Sequence, residues 1–186
     1  MLVLTIQDLK NAEMLYTTGY TPNLLKSEYP FLAPRYARGY DFMMKKLYEK
    51  DPFGKVESFY WGWVKNPYLP FHRFKHIENK VGIFLDVPPS KIVISDYDKY
   101  CEYLEDETPE LVLEGDNDCL QGVFRRIQIQ NIRSVIPAKN LLQLYDNGIE
   151  DIMKLYINSK NKDISKVLKR STDLLFSGKQ LVSALG

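Results

Sequence analysis

Six runs of this chain carry the two-residue period of β-strands: residues 1–6, 56–64, 81–87, 91–95, 121–130 and 132–136. They are rich in Val, Ile, Leu, Phe and aromatic residues, and their alternation places successive side chains on opposite faces of a sheet. Between and around them lie segments with helical spacing. Residues 7–18 read as a helix with Asp8 near its start and Gly19 past its end. Residues 35–50 repeat apolar positions at Tyr36, Tyr40, Met43, Met44 and Leu47, the 3.6-residue period. Residues 96–107, 141–157 and 163–185 add three more helices, the last with one apolar stripe from Ile164 to Leu185. Strands fill the middle and helices flank them. The expectation is an α+β fold: a single domain with a central, mostly antiparallel sheet, flanking helices and a helical C-terminal extension. Its boundaries are set at 1–140 for the α+β domain and 141–186 for the extension packed on it.

Composition narrows the class of function. The 186 residues carry 25 Lys and Arg against 24 Asp and Glu, a net charge of +1, so nothing in the total charge calls for nucleic acid or an anionic membrane. No apolar run approaches the ~18 residues of a membrane span. The first residues lack the basic segment of a secretory leader. The two cysteines, Cys101 and Cys119, form no CxxC, and with the missing leader they point to a cytoplasmic protein. The charge is unevenly spread. Residues 102–118 hold eight acids and no Lys or Arg, residues 121–140 hold Arg125, Arg126, Arg133 and Lys139 and no acid, and the tail is basic. These bands either neutralise one another in the fold or form two binding faces.

Four motifs carry candidate chemistry. Ser95-Asp96-Tyr97-Asp98 follows a strand and opens a helix. One reading is a capping box in which Ser95 accepts from the Asp98 amide; the other makes Asp96 part of a carboxylate pair for a ribose or metal. Phe71-His72-Arg73-Phe74-Lys75-His76 holds both histidines. It is either a solvated basic loop or a site where His72 and His76 act as acid and base on RNA while Arg73 and Lys75 stabilise developing charge. Phe59-Tyr60-Trp61-Gly62-Trp63 puts Phe59, Trp61 and Trp63 on one face and Tyr60 on the other. Such a strand packs a core or offers a stacking wall for a nucleobase or nicotinamide. In Gln121-Gly122-Val123-Phe124-Arg125-Arg126, alternation groups Gln121, Val123 and Arg125 on one face, expected to meet a cleft or solvent, with Phe124 in the core; either Gln121 and Arg125 line a site for a phosphate-bearing ligand or this is an edge strand with both Arg solvated. No P-loop, GxGxxG, HExxH, GxSxG or EF-hand pattern occurs, and two His with two dispersed Cys have no zinc-ligand spacing, so no metal and no resident cofactor is expected.

Several of these pieces, in order, resemble an uncharacterised bacterial and phage family of unknown function. The likeness runs through Leu4-Thr5-Ile6-Gln7, Tyr40-Asp41-Phe42, Trp61-Gly62-Trp63, Arg73, residues 83–88, Val93-Ile94-Ser95-Asp96-Tyr97-Asp98 and Gln121-Gly122-Val123-Phe124. At Tyr100 and Cys101 this chain departs from the family's Trp-His. The layout is also faintly similar to ADP-ribosyltransferases. That likeness implies that Thr5 and Gln7 meet nicotinamide, that Tyr60 or Trp61 stacks on it, and that Gln121 stands where the catalytic Glu is needed, with NAD as substrate and a cleft between Thr5, Tyr60 and Gln121. The combined expectation is a small bacterial or phage accessory protein that binds a nucleotide or RNA in defence or counter-defence. Its catalytic candidates are His72, His76 and Gln121; its ligand-binding candidates are Thr5, Gln7, Tyr60, Trp61, Arg73, Asp96 and Arg125. The rival expectation is a non-enzymatic inhibitor, for example of anti-CRISPR type, or a module that binds a protein partner.

Overall fold

The computed structural model describes residues 1–18, 34–52, 59–65, 77–105 and 119–146. Among them are six strands and four α-helices, and every described strand pairing is antiparallel, so the fold is α+β. The loop with His72, Arg73 and His76, most of the acidic band, and the C-terminal stripe lie outside the described residues. No described helix is long and apolar enough to cross a membrane. The elements gather into two compact units.

The first unit holds α2 (Pro34–Lys50), β2 (Tyr60–Lys65), β4 (Ile92–Asp96), α3 (Tyr97–Leu104) and β5 (Leu120–Phe124). Strand β5 is central: it pairs with β2 through Tyr60↔Phe124, Trp61↔Val123 and Trp63↔Gln121, and with β4 through Val93↔Val123 and Ser95↔Gln121. Side chains directly opposite one another share a face. Val93, Val123 and Trp61 therefore form one row, and Ser95, Gln121 and Trp63 form the next row on the same face. That face is covered by α2 and α3. Met43 and Leu47 of α2 and Tyr100, Tyr103 and Leu104 of α3 pack with Phe59, Val93 and Val123 in one buried cluster. Aromatic rings interlock within it: Tyr40 stacks on Phe59 at 5.0 Å, and Trp61 meets Tyr100 at 4.9 Å. Edge and offset contacts of this kind add about 0.5–1.5 kcal/mol each beyond the area buried. On the opposite face Tyr60 stacks on Phe124 at 6.1 Å. Gly122 is required there, because a Cβ on it would stand 2.7 Å from Ile92 Cδ1.

The second unit holds β1 (Leu2–Asp8), α1 (Leu9–Thr18), β3 (Lys80–Asp86), β6 (Ile132–Pro137) and α4 (Ala138–Asp146). Here β3 is central, paired with β1 from Leu2↔Asp86 to Asp8↔Lys80 and with β6 from Val81↔Pro137. Its five consecutive buried residues, Val81 to Leu85, are what a strand covered on both sides requires. Gly82 lets α4 approach: a Cβ there would collide with Leu141. Charged pairs mark the strand ends, with Lys80 on Asp8 and Arg133 on Asp86.

Two sequence expectations are corrected at the element boundaries. The strand expected over 121–130 ends at Phe124, because the chain turns at Arg125 and resumes as β6 only after a short 3-10 turn, Ile129–Asn131. The cap of α3 is Asp96, not Ser95: Asp96 Oδ1 accepts from the Lys99 amide at 3.0 Å. Ser95 is the last-but-one residue of β4, so its side chain belongs to the sheet face and has no helix amide within reach.

Candidate functional site

The β4–α3 corner of the first unit gathers polar side chains that a core does not ordinarily contain. Three are almost fully enclosed: Ser95 is 0% exposed, Asp96 1% and Gln121 7%. Each has a polar atom with no hydrogen-bond partner: Ser95 Oγ, Asp96 Oδ2 and Gln121 Nε2. They lie within two rungs of one ladder: Ser95 pairs with Gln121, so those two share the helix-covered face, and Asp96 pairs with Leu120 on the opposite face. Buried polar groups are nearly always satisfied, and one left bare costs about 1–3 kcal/mol. Three bare atoms at the end of one ladder, two of them on the same face, are therefore a sizeable cost to a chain whose net stability is small.

The local sequence explains how they come together. Ile92, Val93 and the β-branched pattern hold β4 extended until Asp96, whose side chain captures Lys99 N and starts α3 at once. The ladder is closed by Tyr97 N donating to Cys119 O at 3.1 Å. Only one carboxylate oxygen of Asp96 is used by the cap. Lys99, the nearest cation in the first turn, bonds Glu102 at 2.8 Å instead.

Two half-buried rings flank the corner. Trp63 of β2 and Tyr97 of α3 lie 5.2 Å apart with their planes tilted by 55°. Because β5 separates β2 from β4, that contact is made across β5, at the level of Cys119 and Gln121. Tyr97 also hydrogen-bonds Cys101, one turn on; burial pushes the Cys101 thiol above its ordinary value and the Tyr97 bond pulls the other way. Neither Cys101 nor Cys119 is in a disulfide. Among the described residues no three His, Cys, Asp or Glu gather to hold a metal.

The remaining candidates fall in different places. Thr5 and Gln7 belong to the second unit, where Asn11 Nδ2 donates to Gln7 Oε1 at 3.1 Å and Gln7 Nε2 donates to Thr5 Oγ1 at 2.8 Å. This chain ties the end of β1 to the first turn of α1. Trp61 sits in the aromatic cluster between Tyr40, Phe59 and Tyr100. Tyr60 and Gln121 are on opposite faces of the sheet, so the expected pairing of the two around one ligand is corrected. Val123, expected to face a cleft, is fully buried under α2 and α3. Arg125 does point to the Gln121 face, but it is held by the C-terminal end of α2: its guanidinium donates to the Asp51 carbonyl, with Nε 3.7 Å from the Asp51 carboxylate. The inward Arg thus meets a carboxylate of its own chain. Arg126 is exposed.

Ser95, Trp63 and Tyr97 are the three residues whose part in this corner the sequence reading missed. The strand alternation that placed Gln121 could also have placed Ser95 opposite it, had the β4–β5 register been known. No protein-family model matches the chain, and neither does any curated protein or solved structure.

Proposed function

We propose that the first unit binds a nucleobase-bearing ligand, a free nucleotide or a nucleotide of RNA, at the corner formed by Ser95, Gln121, Trp63 and Tyr97. The observation that carries this reading is the pair of enclosed polar atoms without partners, Ser95 Oγ and Gln121 Nε2, on the face that carries the Trp63–Tyr97 ring pair. The bare atoms ask for a polar ligand with both donors and acceptors. The rings favour a flat one, because base–aromatic stacking contributes about 1–3 kcal/mol per base. A protein without such a ligand bears the desolvation of both groups; a ligand that satisfies them regains it, which is how a destabilised site is maintained.

The test is direct titration of the protein with AMP, CMP, NAD and a short single-stranded RNA, followed by tryptophan fluorescence and calorimetry. Binding with quenching of Trp63 is expected. The Gln121→Leu variant, of similar shape, stays folded and loses binding at least tenfold. If none of the four probes binds at millimolar concentration, the proposal is wrong. The hydrolytic reading through His72, Arg73 and His76 concerns residues outside those described, and the same RNA sample reports on it by showing cleavage or none.

A further inference from the structure

We infer that the Trp63–Tyr97 ring pair is the closed door of this site, and that a base reaches Ser95 and Gln121 only when the Tyr97 ring swings aside. The inference rests on the base-binding reading above and adds how the ligand enters. Ser95 is 0% exposed and Gln121 7%, and their bare atoms, Ser95 Oγ and Gln121 Nε2, are enclosed. A ligand cannot satisfy atoms it cannot reach, so a group above the row must move. The register shows which group that is. Ser95, Gln121 and Trp63 form one row across β4, β5 and β2. Tyr97 follows two residues after Ser95, with its N–H donating to Cys119 O at 3.1 Å. Strands β2 and β4 stand two strand spacings apart, about 9.6 Å. The Trp63 and Tyr97 ring centroids are nevertheless only 5.2 Å apart. The two rings therefore lean toward each other over β5 and roof the Gln121 row.

The neighbouring row makes the contrast. Val93, Val123 and Trp61 lie under the contact of Trp61 with Tyr100, whose centroids are 4.9 Å apart. Tyr100 is buried in the apolar cluster, so that roof is sealed. Trp63 and Tyr97 are each half-buried, so the roof over the polar row has a side that meets solvent. Tyr97 is the leaf that moves. It is the first residue of α3, and its amide is held by Cys119 O, so turning its ring about χ1 breaks no backbone bond. A helical tyrosine has two open χ1 wells, near 180° and −60°, which gives the ring a second resting place without backbone movement. The latch on the ring includes a hydrogen bond to the Cys101 thiol, and sulfur is a weak acceptor. Trp63 stands in the row itself, directly opposite Gln121, and remains as the wall on which the base stacks.

The experiment mixes the full chain with AMP, CMP, NAD or a short single-stranded RNA in stopped flow, follows tryptophan fluorescence, and obtains kon and koff separately. An open form populated to about 0.1–10% reduces the association rate by that fraction. Tyr97→Ala removes the leaf and should raise kon at least tenfold for whichever probe binds. Tyr97→Phe keeps the ring but drops the hydroxyl that bonds Cys101, and should raise kon by a smaller factor. It serves as the deciding variant if Tyr97→Ala fails to fold by circular dichroism. A ring that only stacks on the base gives the opposite split, with koff raised and kon at its wild-type value. That split in the deciding variant overturns the door and leaves base binding in place. Failure of all four probes to bind both wild type and variants removes the base-binding reading itself.

Discussion

Replacing Ser95 with Ala should make the protein more stable, and the size of the gain follows from the surroundings of one oxygen atom. Ser95 is wholly enclosed and its Oγ has no hydrogen-bond partner. A hydroxyl buried without a partner costs about 1–3 kcal/mol relative to water. Removing it leaves a void of at most about 15 Å³, roughly one small probe sphere. At about 24 cal/mol per Å³ that void costs about 0.4 kcal/mol. The exchange of Ser for Ala within a strand adds a few tenths of a kcal/mol against the variant. The net expectation is a stabilisation of about 1 kcal/mol, a rise in melting temperature of roughly 2–4 °C for a chain of this size. Urea unfolding followed by tryptophan fluorescence measures it as a shift in midpoint at constant slope. The comparison variant is Asp96→Ala, which loses the α3 cap and should cost about 0.5–2 kcal/mol. If Ser95→Ala is instead destabilising by a similar amount, the hydroxyl has a partner in the folded protein and the reasoning about the corner fails.

Three further outcomes check other parts of the structure. Arg125→Ala removes both contacts to Asp51 and should cost about 1–3 kcal/mol, while exposed Arg126→Ala should stay within about 0.5 kcal/mol; equal effects of the two would contradict the placement of Arg125. Gly82→Ala drives a methyl into Leu141 and should cost about 1–3 kcal/mol in thermal unfolding. Burial raises the Tyr40 hydroxyl above its ordinary value against an opposing bond with Trp61. The folded state therefore resists its ionisation: the stabilising effect is complete below the ordinary tyrosine pKa and is lost as pH rises from there toward the folded value. Wild type should lose more stability than Tyr40→Phe between about pH 9.5 and 11, measured as the difference between their urea midpoints at each pH.

The corner also explains why a small protein would keep so costly an arrangement. Apolar residues at 95 and 121 would continue the core of Val93, Val123 and Trp61 without any unmet polar atom. Retaining Ser95 and Gln121 beside that core is what the proposed ligand would account for. The aromatic cluster behind them, from Tyr40 through Trp61 to Tyr100, gives the corner a rigid wall, and the Arg38 guanidinium steadies the far end of α3 by donating to the Tyr103 carbonyl while lying 4.5 Å over the Tyr103 ring.

Local periodicity determined the class and most of the elements. The stripe Tyr40, Met43, Met44 and Leu47 identified α2 and its inner face, and the alternation Phe59, Trp61, Trp63 identified the face of β2 that meets the helices, because both periods are properties of the backbone that tertiary contacts do not alter. Register and partners were different. Whether Arg125 met a ligand or a carboxylate depended on Asp51, 74 residues away, and nothing local encodes that separation. The cap of α3 was a choice between adjacent residues, Ser95 and Asp96, and it was made by where β4 stopped pairing with β5. Tyr60 and Gln121 each have an aspect suited to a ligand when read singly. Only the Tyr60↔Phe124 and Trp63↔Gln121 pairing assigns them to opposite faces, since the pleat sets which residues of one strand share a face, whereas the side of the sheet they share with a neighbouring strand is set by long-range register alone.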